Sequence, residues 1–220
     1  MQPIPIYKKI LSWVLPLSVE KISSIHNPVL NVKIQQGQYV LSTPAAIYSY
    51  GTFYAPFKKM FRHIKKDLPQ VKDFLMLGTG LGSALKILQQ DFQLFPNATL
   101  VDIDEEVLKL SANYMNLNTG KNVHWICSDA SDYLQETQAK FDLIAVDVFR
   151  DLSIPQEIKH QNFFTTCKLR LNNKGIVCVN YISSSATETS QTAQMLNIIF
   201  EKVEVIKSAQ NVFFICKIQS

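Results

Sequence analysis

The junction at residues 74–91 constrains the fold more than any other stretch. Phe74-Leu75-Met76-Leu77 is a continuous apolar run, as expected of a strand buried on both faces of a parallel sheet. Gly78-Thr79-Gly80-Leu81-Gly82 follows it, and the residues from Ser83 to about Asp91 predict a helix. Glycines let the backbone turn tightly and approach a ligand, while free N–H groups at a helix start favour electron-rich atoms. The dinucleotide fingerprint GxGxxG would place its third glycine at 83, but the chain has Ser83 there and Gly82 before it. GxGxG spacing favours a nucleoside with an amino-acid tail over a pyrophosphate. Alone, such a loop is equally well a structural turn.

The pattern around this junction sets the architecture. Val29 to about Ser42 alternates as a strand pair, with Gly37 in the turn able to take positive φ. Tyr54 to Lys66 predicts a helix with Phe57, Met60, Phe61 and Ile64 on one face. From Val71 strands and helices alternate, which implies βαβ units and a mainly parallel sheet. Further strands are expected at Ala98–Val101, Val123–Ile126, Phe141–Val146 and Gly175–Asn180, and helices at Glu105–Met115, Gln156–Leu169 and Thr187–Ile199. Val203–Ile206 and Val212–Cys216 are joined too tightly for a parallel return, so they must form an antiparallel hairpin. The expectation is an α/β fold with a mainly parallel seven-stranded sheet, a C-terminal antiparallel hairpin and a small N-terminal β-hairpin unit. Residues 1–66 would hold the arm, hairpin and first helix, and 67–220 the larger domain.

Three acids end strands of that sheet. Asp102, in Val101-Asp102-Ile103-Asp104, is placed beside the glycine loop to accept both ribose hydroxyl protons of a nucleoside. Asp104 reads as the N-cap of the helix starting at Glu105. Asp129 either accepts a hydrogen bond from an adenine amino group or caps a helix. Asp147 ends the fourth strand of the larger sheet. Ligands of open α/β sheets lie outside the carboxyl ends of the strands, so the loop, Asp102, Asp129 and Asp147 converge on one crevice.

Phe74 to Ser83, Val101 to Val107, Cys127-Ser128-Asp129-Ala130 and Phe141 to Asp147 resemble successive motifs of class I S-adenosylmethionine-dependent methyltransferases. Within that group the chain most resembles the spermidine-synthase-like branch, over about Asn27 to Lys217. Its VDID string is similar to that branch's VEID, and Asp147 to Asp151 with Ser153-Ile154-Pro155 is similar to the stretch found in divergent members. The resemblance implies a Rossmann-like fold and a sulfonium nucleoside, S-adenosylmethionine or its decarboxylated form. It implies a cofactor set of Gly78, Thr79, Gly80, Gly82, Asp102, Ile103, Asp129 and Ala130, with Asp147 as the catalytic residue. Two motifs depart from the branch. Polyamine synthases carry an Asp-Ser-Ser/Thr-Asp-Pro loop, of which only Asp147 is matched, and their Tyr-His-Glu string has no counterpart. Tyr48-Ser49-Tyr50-Gly51-Thr52-Phe53-Tyr54 supplies tyrosines that either wall the site or pack, but no acid for a diamine's second ammonium. Methyl or related transfer to a small nucleophile is therefore the first reading. Aminopropyl transfer and non-catalytic nucleoside binding are the alternatives.

Composition narrows the partners. A net charge of +4 with basic residues scattered as pairs reads as a solvated surface, so no nucleic-acid partner is expected. Cys127, Cys167, Cys178 and Cys216 lie in or beside apolar runs without a CxxC or Cys/His cluster, which reads as buried reduced thiols, no metal and a cytoplasmic protein. The apolar run Ile10 to Leu17 is far short of the roughly 20 residues a membrane span needs. Ile10, Trp13, Val14 and Leu17 instead suggest a contact surface and a homodimer.

Overall fold

The hairpin turn nearest the N-terminus shows how local chemistry fixes the first unit. Gln36 and Gly37 both take positive φ, 49° and 72°, the conformation of a two-residue turn that matches strand twist. It joins β2 (Leu30–Gln35) to β3 (Gln38–Ser42). With β1 (Leu17–Ile22) and β4 (Ile47–Ser49) these make a four-stranded antiparallel sheet in the order β1-β2-β3-β4. The expected hairpin is thus the centre of a larger sheet. Its apolar face, Leu30, Val32, Ile34 and Leu41, packs on Leu81 of the glycine loop and on Val107 and Leu110. A short helix α1 (Ile6–Leu11) precedes it and buries no side chain. Ser12 tethers this arm, because its hydroxyl accepts from the Gly37 N–H at 2.9 Å and its carbonyl from the Gln36 N–H at 2.8 Å.

The computed structural model describes residues 4–115, 122–149, 153–208 and 211–218. After α2 (Ala55–His63) comes β5 (Asp73–Leu77), then α3 (Ser83–Asp91), β6 (Asn97–Asp102), α4 (Glu105–Tyr114), β7 (Val123–Cys127), α5 (Ala130–Glu136) and β8 (Phe141–Val146). The chain continues through α6 (Gln156–Lys159), α7 (Gln161–Leu169), β9 (Leu171–Tyr181), α8 (Ala186–Ile199), β10 (Lys202–Lys207) and β11 (Val212–Lys217). The second sheet has seven strands in the order β10-β11-β9-β8-β5-β6-β7. β5 to β9 are parallel, and β11 and β10 close the sheet as the expected antiparallel hairpin. Phe74 and Met76 enter one apolar layer with α2 and α3, while Leu75 and Leu77 enter the other with α5, α7 and α8. That alternation, with no exposed face, explains the unbroken apolar run.

Two expectations are corrected. The helix expected over Gln156–Leu169 is two helices, broken where His160 is extended at ψ 148°. At 3.6 residues per turn, one straight helix would point Ile158 away from Phe163, Phe164 and Cys167. The break lets all four enter the same core layer. Of the four cysteines, all unpaired, Cys167, Cys178 and Cys216 are buried but Cys127 is exposed, because it ends β7 at the sheet edge. Among the described residues no helix is long and apolar enough to cross a membrane.

Candidate active site

Strand order places the site. From β5 the chain moves outward through β6 and β7, then returns to add β8 and β9 on the other side. The order therefore reverses between β5 and β8, where a crevice opens at the carboxyl ends. Gly78 leaves β5 there and Asp147 leaves β8. The Asp147 N–H donates to the Leu77 carbonyl at 2.8 Å, and the Gly78 N–H to that of Val101 at 2.9 Å. A cavity of about 1040 Å³ opens over this point, at the upper end of the usual range for small-molecule sites. β4 roofs the glycine loop, bringing the Tyr48 carbonyl within 2.8 Å of where a Cβ on Gly80 would stand.

On the β6 side, Asp102 organises the wall. One oxygen accepts from the Thr79 N–H at 2.9 Å and the other from the Asp104 N–H at 3.1 Å, and the Gly80 N–H bonds the same carboxylate. Burial pushes Asp102 up to about 6 against these three bonds. These bonds leave part of the carboxylate's acceptor capacity open at the cavity wall. Asp104 caps α4, accepting from the Glu106 N–H at 3.1 Å, and its other oxygen accepts from Asn27 Nδ2 at 2.7 Å. Asn27 Oδ1 in turn accepts from the Tyr48 hydroxyl at 3.0 Å, which ties the four-stranded sheet to the site. Asp129 caps α5 through Oδ1, from the N–H groups of Ser131 at 2.7 Å and Asp132 at 3.4 Å. Capping and ligand contact are thus compatible for Asp129, with Oδ2 left for a ligand.

On the β8 side, Asp147 is held at both oxygens. Oδ1 accepts from Asn180 Nδ2 at 2.7 Å and Oδ2 from the Tyr54 hydroxyl at 3.0 Å. Asn180 Oδ1 accepts from Asn211 Nδ2 at 2.7 Å, fixing which face of the amide meets the acid. Burial pushes Asp147 up to about 6, opposed by the bonds from Asn180 and Tyr54 and helped slightly by the charge on Asp102. Tyr54 is raised well above its usual value, by burial first and then by the nearby carboxylate, so it stays a phenol and donates. Near neutral pH the site therefore presents an ionised carboxylate with a fixed orientation.

Of the residues expected to bind the nucleoside, Gly78, Gly80, Asp102, Ile103, Asp129 and Ala130 line the cavity, as does Asp147. Thr79 and Gly82 do not. Thr79 braces the loop, its hydroxyl donating to the Val101 carbonyl at 3.0 Å. Gly82 sits at φ 69° as the first turn of α3, where a Cβ would run into Met115 Sδ. Tyr48 and Tyr54 wall the cavity, whereas the Tyr50 hydroxyl turns away to Gln36. Asp151 lies outside the described residues. Asn180 and Asn211 are the site residues the sequence reading missed. Asn180, next to last in β9, lies level with Asp147, one residue beyond the Val146–Val179 pair, and that equivalence was the available signal.

Residues 55–216 match the family model of the spermine/spermidine synthase domain. The polyamine aminopropyltransferase of Thermococcus onnurineus is 29% identical over 133 residues, 59% of this chain and 45% of that protein. Matches of this kind span from 23% to 53% of the length of three curated relatives. The spermidine synthase of Thermotoga maritima and a spermidine synthase in complex with the transition state analogue AdoDATO share the fold, each with a TM-score of 0.71. They cover 91% of this chain and 72% and 73% of their own, at 14% and 15% identity.

Proposed function

The chain belongs to the spermine/spermidine synthase family, and on that premise we propose that it transfers an aminopropyl group from decarboxylated S-adenosylmethionine to an amine. The observation that carries the reading is Asp147, held at both oxygens by Tyr54 and Asn180 and set directly behind Gly78. The family match, with relatives named polyamine aminopropyltransferases, supports aminopropyl transfer over the methyl transfer that the motif departures favoured.

The charge around the cavity supports the decarboxylated donor. Asp102, Asp104, Asp129 and Asp147 line it, and no lysine or arginine does among the described residues. Among the described lining residues an α-carboxylate would meet no lysine or arginine, whereas a sulfonium with an ammonium tail suits an acidic wall. The chemistry asks little more of the protein than position and dryness. The amine lone pair attacks the carbon beside the sulfur, a C–N bond forms and the C–S bond breaks with its electron pair going to sulfur. Asp147 orients the nucleophile by accepting an N–H of the bound ammonium and takes that proton, which frees the lone pair for attack; the product keeps its own ammonium and the carboxyl returns its proton to water. Tyr54 and Asn180 hold that carboxylate still.

Incubation with decarboxylated S-adenosylmethionine and a panel of primary amines should yield methylthioadenosine, followed by chromatography and mass spectrometry. Asp147→Asn should lower turnover by roughly 10²–10⁴. It should leave the thermal stabilisation by methylthioadenosine intact. Formation of S-adenosylhomocysteine from S-adenosylmethionine instead would overturn the reading in favour of methyl transfer. The exposed arm, with Ile10, Trp13 and Val14 each more than 60% accessible, supports a homodimer. Light scattering at tens of micromolar should find twice the chain mass, and a monomer would remove that assembly.

A further inference from the structure

We infer that the acceptor is a primary amine whose far end is uncharged, an alkyl or hydroxyalkyl monoamine rather than a diamine. The inference rests on the transfer reading above and concerns the half of the cavity beyond Asp147. Strand order gives the direction. The nucleoside features belong to β5, β6 and β7, so a tail leaving Asp147 extends toward β9 and β11. There the cavity is lined by Ala55, Pro56, Phe149, Ile158, Ile182 and Phe213, with the neutral amides of Asn180 and Asn211 and the hydroxyl of Ser208. Among the described residues lining this half, Asp147 is the one carboxylate, and the reacting nitrogen uses it.

A second observation points the same way. The Lys59 ammonium stands over the ring of Phe213, 5.8 Å from its centroid, and is fixed by donating to the Lys207 carbonyl at 2.6 Å. Phe213, a ring lining this half, is thus already paired with a cation that stands outside the cavity lining. A diamine's far charge would thus leave water for apolar walls, two amides and a like charge nearby. A neutral tail of the same length loses little hydration and gains apolar contact.

The test pairs acceptors of equal length with decarboxylated S-adenosylmethionine as donor: butylamine and 4-aminobutanol against 1,4-diaminobutane, and pentylamine against 1,5-diaminopentane. Methylthioadenosine release should give the neutral-tailed amine a kcat/KM about 100-fold or more above its diamine, the size of effect set by a buried unpaired ion. Ser208→Asp should narrow that gap at least tenfold by supplying a partner. Diamines outrunning monoamines would overturn the inference while leaving transfer in place. If no amine releases methylthioadenosine although methylthioadenosine itself raises Tm, the transfer reading falls and takes this inference with it.

Discussion

At one end of the cavity, the glycine loop and the segments 101–104 and 127–130 come from strand-to-helix turns on three neighbouring strands. Their polar groups are satisfied close by, Asp102 by backbone N–H groups of residues 79, 80 and 104, and Asp129 by those of 131 and 132. The Asp147 end is assembled differently. Tyr54, Asp147, Asn180 and Asn211 come from four separate elements and satisfy one another through side chains. A site made of local turns can be kept while one made of distant side chains drifts, because changing a turn disturbs the fold and changing a side chain disturbs only the network. The ends of this cavity follow that division: the loop and the VDID string resemble the family pattern, and the two departures, in Tyr48 to Tyr54 and after Asp147, fall on the side of the side-chain network.

Gly78 is where the two ends share backbone, and altering it should break the comparison. It sits at φ 82°, and a Cβ there would run into the Asp147 carbonyl oxygen, a backbone atom that cannot swing aside. Gly78→Ala should cost about 3 kcal/mol through strain and displacement, lowering Tm by roughly 6–12 °C. Stabilisation by methylthioadenosine and turnover should be lost together. Calorimetry showing an unchanged Tm with turnover alone reduced would mean that the ends are not mechanically joined.

Asp102→Asn should sharpen the comparison with a smaller effect. The new amide would turn an N–H toward one of the backbone N–H groups that the carboxylate now receives. One unsatisfied buried group costs about 1–3 kcal/mol, so the Kd for methylthioadenosine should weaken roughly 10–100-fold. At saturating donor, kcat should change far less, the reverse of the pattern expected for Asp147→Asn. Titration calorimetry beside initial rates separates the two, and a fall in kcat with an unchanged Kd would erase the distinction between the ends.

The same division decides what could be read from sequence. The loop, the VDID string and the apolar run of β5 are each unbroken stretches, so a linear pattern carried the fold and this part of the cavity wall. Gly82 and Thr79 belong to that pattern but face inward, since spacing shows where a turn is and not which way each residue points. The Tyr54–Asp147–Asn180–Asn211 network joins residues up to 157 positions apart, and no period or motif records such contacts. Tyr54 was recognised only as one of three tyrosines, and side-chain direction alone separates it from Tyr50. The break at His160 was hidden for a related reason. Gln156 to Leu169 contains no glycine or proline, and only the shared core layer of Ile158 and Phe163 requires it.

Asn180 offers the finest test of the Asp147 end. Burial raises the carboxyl to about 6, and the bond from Asn180 is the first of the influences opposing that rise. The carboxylate is the active form, so kcat/KM should climb as pH rises through about 6 and then level. Asn180→Leu removes a hydrogen bond to a charged group and should move that limb upward by about one unit. Turnover at pH 7 would then fall by only about half. Stability follows with the sign set by the same shift. Asp102 and Asp147 both have folded values raised above the ordinary 3.8, so between about 4 and about 6 the folded protein holds more protons than the unfolded chain. Stability must therefore fall as pH rises across that window and level above it. In Asn180→Leu the fall should continue toward pH 7, seen as Tm measured against pH. A purely structural role for Asn180 would lower turnover equally at every pH and leave the limb where it was, and that result would reduce the network to packing.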